Sequence, residues 1–226
     1  MDDMRRLFGI LLFALVVMNG FAQDRASLRD SLAAAAERLS YSPDSLDLRL
    51  KKASWNVQLE QWQYAKNEYD YVLGCDPQNV AALFYRAYVN EKLNRYGFAR
   101  LDYENLLSIL PGNFEGRLGL ALLNQKDHHY TDAIDQVNLL VAQYPDSAVA
   151  YAARGGIEME RKMYDLAEFD YGKAIALDPD NMDYRLNRVN VRLLLRRKED
   201  AREDLDDMVR HGIPRANLID WYAKCR

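Results

Sequence analysis

The chain has 226 residues, of which 49% are hydrophobic, 28% charged and 11% aromatic, a balance that excludes a disordered or collagen-like chain. Its formal net charge of −4 argues against a nucleic-acid-binding protein, because such proteins carry a basic surface or a high isoelectric point. Eleven glycines and six prolines are few for this length, which favours long helices over many turns.

The first 22 residues have the layout of a secretory signal peptide. Two arginines at positions 5 and 6 precede an apolar run over residues 7–18, and Gly20 and Ala22 place small residues at −3 and −1 of a cleavage point after Ala22. The run has 12 residues, whereas a membrane span needs about 20. We expect cleavage after Ala22 and a periplasmic or secreted protein without stable membrane insertion. The alternative is an uncleaved signal that anchors the protein in a membrane.

Five prolines recur every 34 residues in the rest of the chain: Pro43, Pro77, Pro111, Pro145 and Pro179. Two residues beyond each of them stands a residue suited to a helix N-cap: Ser45, Asn79, Asn113, Ser147 and Asn181. Proline ends the preceding helix because the residue before it is driven out of the α region, and the Ser or Asn side chain then caps the next helix. The pattern predicts five helix–turn–helix units over 46–79, 80–113, 114–147, 148–181 and 182–215.

Equivalent positions of the five units carry the same kind of residue. Counted from the start of each unit, position 20 is always alanine: Ala65, Ala99, Ala133, Ala167 and Ala201. Position 24 is large and apolar or aromatic: Tyr69, Tyr103, Val137, Tyr171 and Leu205. A small residue where two helices touch lets their axes approach, while large residues fill the surrounding space.

These units resemble tetratricopeptide repeats, whose pattern has a large residue at position 4, a small residue at 8, Ala at 20, an aromatic at 24 and Pro at 32. Unit 148–181 matches this pattern best, and unit 182–215 departs from it with Val189 at position 8 and Ile213 in place of proline. Position 4 departs from the pattern in four units, where it is Arg49, Leu83, Arg117 and Arg185, and matches it only with Tyr151. The resemblance implies an all-α, right-handed α-solenoid of antiparallel helix pairs. Residues 23–45 and 216–226 are expected to form capping helices at its ends.

No group of residues predicts catalysis, a metal site or a cofactor. His128, His129 and His211 lie in predicted turns and lack the partners of a CxxC or HExxH zinc site. Cys75 and Cys225 are separated by four repeats, on the order of 40 Å of packed helices, whereas a disulfide needs Cα atoms within about 7 Å. We therefore expect two free thiols and no enzymatic activity.

The resemblance implies protein binding through a concave surface lined by the first helices, chiefly at positions 2, 5, 9 and 12. The predicted groove consists of Leu50, Phe84, Tyr88, Leu118, Leu122 and Asn190, at positions 5 and 9. We expect a protein or peptide partner rather than a nucleic acid or a small-molecule substrate. The chaperone-binding members of the family use Lys at position 5 and Asn at position 9; only Asn190 matches, so that activity is not expected here.

Two alternatives remain at this point. The first is structural: Phe84 and Leu118 pack against neighbouring repeats and do not line the groove. The second alternative is functional: the protein would be a structural or assembly component of a cell-envelope or secretion complex, with its convex face or its caps as the contact surface.

Overall fold

The computed structural model describes residues 25–226; residues 1–24, which include the predicted signal peptide, lie outside the described part of the chain. Over residues 25–226 the structure is all-α, with no β-strand. The α-helices are α1 (Arg25–Tyr41), α2 (Leu46–Gln58), α3 (Trp62–Cys75), α4 (Val80–Lys92), α5 (Tyr96–Ile109), α6 (Phe114–Lys126), α7 (Tyr130–Gln143), α8 (Ala148–Glu160), α9 (Tyr164–Leu177), α10 (Met182–Leu194), α11 (Lys198–Arg210) and α12 (Ile219–Lys224). They fall into two compact units, Met1–Cys75 and Asp76–Arg226.

In the first unit, α1 packs on α2, and α2 forms a pair with α3. Leu39 of α1 and Leu48 of α2 share a buried apolar cluster, against which Trp55 packs. Ala53 of α2 and Ala65 of α3 have no exposed surface, as expected where two helices approach closely.

In the second unit, α4 to α11 form four consecutive helix pairs. Each pair also packs on the next, through α5 with α6, α7 with α8 and α9 with α10. The first helices α4 and α6 also touch, as do α6 and α8. The apolar core therefore continues from one pair to the next, which is the arrangement of a solenoid.

The C-terminal segment, predicted as one helix over 216–226, is shorter and begins differently. A 3-10 helix at Arg215–Leu218 follows Pro214, and α12 continues from it. Leu218 and Tyr222 pack with Leu205 and Met208 in the last apolar cluster. The segment thus covers apolar surface of α11 that would otherwise face solvent.

Asparagine or serine side chains cap the first helices of the second unit. Asn79, Asn113, Ser147 and Asn181 each accept a hydrogen bond from a backbone N–H in the first turn, at 2.6 to 3.2 Å. Ser45 was expected to do the same, and this expectation is wrong. It has the extended backbone of an N-cap, but its hydroxyl makes no capping bond, so α2 begins by backbone geometry alone.

The turn inside every pair contains one residue in the left-handed conformation. At position 15, Glu60, Asn94, His128, Lys162 and Arg196 have φ between 57° and 61°. The next N–H then donates back to the carbonyl of position 11, as from Arg95 to Asn90 at 2.8 Å. This is a helix C-terminal motif that glycine usually supplies, because residues with a Cβ are strained there. His128 is therefore a turn residue, as predicted.

Position 20 is a close helix–helix contact in the fourth pattern unit, 148–181. Ala167 is fully buried, and a Cβ placed on Gly155 of α8 would lie 3.4 Å from the Ala167 carbonyl oxygen. The small residues at these two positions allow α8 and α9 to approach each other at this point.

Replacing Ala167 with Leu should therefore destabilise the protein by about 1–3 kcal/mol, because three added carbons have no space in a closed contact. Thermal unfolding followed by circular dichroism measures the effect. Ala176→Leu, at an exposed position of the same helix, is the control. Equal melting temperatures for the two variants would show that the α8–α9 contact has room for a larger side chain.

Candidate protein-binding surface

The six residues of the predicted groove do not share one environment. Leu50 belongs to the first compact unit and is half-buried; the other five belong to the second unit. Phe84 packs against the buried cluster of Ala87, Ala99 and Tyr103, with its ring centroid 6.0 Å from that of Tyr103 in an edge-to-face arrangement. Part of the Phe84 ring is thus packed against the core.

Leu118 is a core residue. Only 5% of its surface is exposed, and it lies in a cluster with Ala121, Ala133 and Ile157. The close packing of α6 with α7 and α8 encloses this side chain. For Leu118 the structure thus shows the alternative in which it packs against neighbouring helices, and it offers almost no surface to a partner.

Leu122, Tyr88 and Asn190 keep partly exposed side chains. Leu122 packs with one side on the same cluster as Leu118. The Lys92 ammonium lies 5.1 Å from the Tyr88 ring centroid, within the range of a cation–π contact. Asn190 donates from Nδ2 to the Met159 sulfur at 3.5 Å. Their role in binding stays a prediction, since exposure alone does not identify a binding residue.

A set of buried ion pairs inside the helix pairs was not anticipated from the sequence. In four of the five pattern units, position 7 of the unit, which lies on the first helix, is a base, and position 23, which lies on the second helix, is an acid. The pairs are Lys52–Glu68, Arg86–Asp102, Arg154–Asp170 and Arg188–Asp204, with distances of 2.5 to 2.6 Å. The three Arg–Asp pairs are bidentate, and their carboxylates are at most 6% exposed. The signal in the sequence is a base followed by an acid 16 residues later.

The arginines at position 4, which depart from the tetratricopeptide pattern, tie the start of a first helix to the proline turn before it. Arg49, Arg117 and Arg185 each donate to the carbonyl of the proline six residues earlier. Arg49 also donates to Glu68 and Arg117 to Gln136, both at position 23. In unit 114–147, where position 7 is Leu120, Arg117 therefore supplies the cation that the other units place at position 7.

Two buried glutamates lie near the ends of first helices. Burial raises the pKa of Glu91 from 4.5 to about 7, opposed by a hydrogen bond of 2.9 Å from the Tyr103 hydroxyl. Burial and then the Asp170 carboxylate raise the pKa of Glu158 from 4.5 to about 8. One carboxyl oxygen of Glu158 is buried without a hydrogen-bond partner. Both groups are therefore partly or largely neutral near pH 7.

Within residues 25–226, no group of three or more His, Cys, Asp or Glu side chains is arranged to hold a metal ion. Over the same residues, no helix is long and apolar enough to cross a membrane. Cys75 and Cys225 are free thiols, as expected, the first exposed and the second buried.

No protein-family model matches the chain, and no curated protein sequence matches it. Solved structures do match. A tetratricopeptide repeat protein from Parabacteroides merdae is 20% identical with a TM-score of 0.65, covering 88% of this chain and 78% of that one.

Two further solved structures are similar. MamA from Desulfovibrio magneticus is 16% identical with a TM-score of 0.66, covering 75% of this chain and 97% of that one. YrrB, described as a tetratricopeptide repeat protein with an unusual peptide-binding site, is 18% identical with a TM-score of 0.59, covering 76% of this chain and 89% of that one. At these identities the likeness concerns the fold. Together with the 34-residue pattern and the stacked helix pairs, it shows that this chain has the tetratricopeptide repeat fold.

Proposed function

We propose that this protein is a non-catalytic scaffold that binds a segment of a partner protein through the first helices of its second compact unit. The observation that carries the proposal is the partly exposed pair Tyr88 and Leu122, at position 9 of consecutive first helices that touch each other. The peptide-binding site named for YrrB, which has the same fold, is consistent with this use.

The proposed contact surface is smaller than the groove predicted from the sequence. Tyr88 and Leu122 form its centre, Asn190 contributes an amide, and Phe84 contributes only the part of its ring not packed on Tyr103. Leu118 is left out because it is buried. Tyr88 is the strongest single candidate, because its ring can be buried by a partner while its hydroxyl still forms a hydrogen bond.

Replacing Tyr88 and Leu122 together with Ser should abolish co-purification of the partner while the helical circular dichroism spectrum persists. Aromatic anchors contribute about 2 kcal/mol or more each to an interface, so the double change removes most of the affinity. The partner is first identified by crosslinking the native protein in cells. Leu139→Ser, at an exposed apolar position of α7 outside the proposed surface, is the matched control. Loss of helicity in the double variant would show that Tyr88 and Leu122 belong to the core. Retained co-purification of the partner would show that this surface is not the binding site.

A second candidate function is assembly into a larger complex through a terminal helix. Ile219 of α12 is 67% exposed, so the last helix offers an apolar side chain for such a contact. If α12 is the contact, Ile219→Ser rather than the Tyr88 and Leu122 changes should release the partner.

We also propose that the protein is exported. The support is the layout of residues 1–22, with an arginine pair, a short apolar run and a small residue at −1. Intact-mass measurement should find a chain that begins at Gln23 in the periplasm or the medium. A full-length chain in the membrane fraction would instead support the anchored form.

A further inference from the structure

The first three second helices of the second compact unit, α5, α7 and α9, carry an alternating pattern on their outer side. Positions 19 and 22 are Phe98 and Leu101 on α5, Asp132 and Asp135 on α7, and Leu166 and Phe169 on α9. The four apolar side chains are 50–65% exposed, and both aspartates are exposed as well. We call these six residues the outer stripe.

The outer stripe lies on one side of each helix and away from the core. Residues three apart are neighbours on a helix surface, so positions 19 and 22 face the same way. Position 20, by contrast, is the fully buried alanine of each helix: Ala99, Ala133 and Ala167. Because the three helices occupy equivalent places in consecutive pairs, the stripe presents an apolar pair, an acidic pair and a second apolar pair in succession.

Packing in the core does not account for the four apolar residues of the outer stripe. Phe98 and Phe169 are more than half exposed, although fully buried aromatic positions occur on the same helices at Tyr103 and Tyr171. Apolar side chains that recur in register on one surface mark an interaction site more often than scattered single ones do.

The charges around the outer stripe indicate which kind of partner can bind to it. Helix α7 contains no Lys or Arg, and Glu104 of α5 adds exposed negative charge beside the stripe; the Asp165 carboxylate of α9 is paired with Arg197 at 3.0 Å. On α5, α7 and α9 themselves the one exposed base is Lys173, whose ammonium lies 5.4 Å from the Phe169 ring centroid. Arg95 and Lys162, which precede α5 and α9, are exposed bases near the two apolar pairs. The surface is therefore apolar at two places and anionic between them.

A second copy of this chain does not match such a surface. Two outer stripes facing each other would bring Asp132 and Asp135 of both copies together, and juxtaposed like charges oppose association. An anionic membrane surface is repelled for the same reason.

We propose that the outer stripe binds a basic amphipathic helix of a partner protein. Its apolar side chains contact the Phe98–Leu101 and Leu166–Phe169 pairs, and its Lys or Arg side chains between them meet Asp132 and Asp135. The second helices of consecutive pairs are not packed closely on each other, so the two apolar pairs lie more than two helix-packing distances of about 10 Å apart. At 1.5 Å per residue, the bound helix needs about 13 residues or more.

The test uses two synthetic helical peptides that differ only in the charge between their two apolar ends, one with lysines and one with glutamates. The wild-type protein should bind the lysine peptide at least about tenfold more tightly than the glutamate peptide, and less tightly as salt is raised. The double variant Asp132→Lys with Asp135→Lys should reverse this preference.

Two further variants locate the site. Phe98→Ser with Phe169→Ser should lose binding of the lysine peptide, and Tyr88→Ser should retain it. All of these substitutions are at exposed or half-buried positions, so circular dichroism is expected to stay unchanged. Failure of the wild-type protein to bind the lysine peptide, or equal loss in Tyr88→Ser, would overturn the proposal. So would concentration-dependent dimerisation that disappears in the Phe98 and Phe169 variant, since the occupant would then be a second copy.

Discussion

The free energy of unfolding should fall as the pH is raised from about 5 to about 9, and Glu158→Gln should remove a large part of this fall. The cause lies in the buried carboxyl groups of α4 and α8. Glu158 has a pKa of about 8 and Glu91 a pKa of about 7, both raised chiefly by burial from 4.5. Ionising these groups in the folded protein places charge where water cannot solvate it.

The sign follows from proton linkage. Both pKa values are higher in the folded than in the unfolded chain, so the folded state holds the protons more tightly. The stabilisation is fully present below pH 4.5 and is lost as the pH rises through about 7 for Glu91 and about 8 for Glu158. For Glu91, the difference between 4.5 and about 7 corresponds to about 3 kcal/mol. These two groups thus act in the direction opposite to salt-bridged carboxylates, which stabilise proteins as the pH rises.

The repeat itself explains why glutamine should substitute for Glu158. At the same position 11, Asn90 donates from Nδ2 to Asp102 at 3.2 Å, and Arg192 donates to Asp204 at 2.9 Å. In each unit the acceptor is the acid at position 23. Glu158 can donate to Asp170 only when it is protonated, and a glutamine amide donates at every pH.

Urea unfolding at pH 6 and at pH 9 tests the prediction. Glu158→Gln should be close to the wild type at pH 6 and more stable than it at pH 9. Glu160→Gln, an exposed position two residues away, is the control and should show the pH dependence of the wild type. A wild-type stability that rises between pH 6 and pH 9 would contradict a protonated Glu158.

Replacing Asp102 with Ala should destabilise the protein by about 2–3 kcal/mol. The Asp102 side chain is 2% exposed and accepts hydrogen bonds from both Arg86 and Asn90. Its removal leaves the Arg86 guanidinium, which is 23% exposed, without its carboxylate. Removing one member of a buried ion pair is costly, and the partial exposure of Arg86 keeps the loss below that of a fully buried pair.

Another repeat of the same chain lacks this ion pair and suggests a second variant for comparison with Asp102→Ala. Unit 114–147 has Leu120 and Gln136 at positions 7 and 23 in place of an ion pair. The double variant Arg86→Leu with Asp102→Gln should therefore cost less than Asp102→Ala alone, about 1 kcal/mol or less, because it removes both charges and leaves an amide for Asn90. Thermal unfolding of the three proteins decides the matter. If the double variant is the least stable, the Arg86–Asp102 pair contributes net stability, which would contradict the prediction.

The sequence by itself determined the helices and their contacts at short range. Proline and the N-cap residues define where a first helix begins, and the alanines at position 20 define where its partner helix approaches it. Both signals are local, since they depend on backbone conformation and side-chain size within one unit of 34 residues. For this reason the helix starts and the burial of Ala65, Ala99, Ala133, Ala167 and Ala201 agree with the expectations.

Only the tertiary structure decided which side chains are surface and which are core. Leu118 and Leu122 are both apolar residues on α6, yet packing from α7 and α8 buries the first and leaves part of the second exposed. The same holds for polar groups. Glu158 and Glu160 are both glutamates on α8, but Glu158 is buried and Glu160 is exposed; burial, followed by the nearby Asp170 carboxylate, raises the pKa of Glu158. Burial and desolvation depend on the neighbouring helices, whose side chains enclose one position and leave the next open to water.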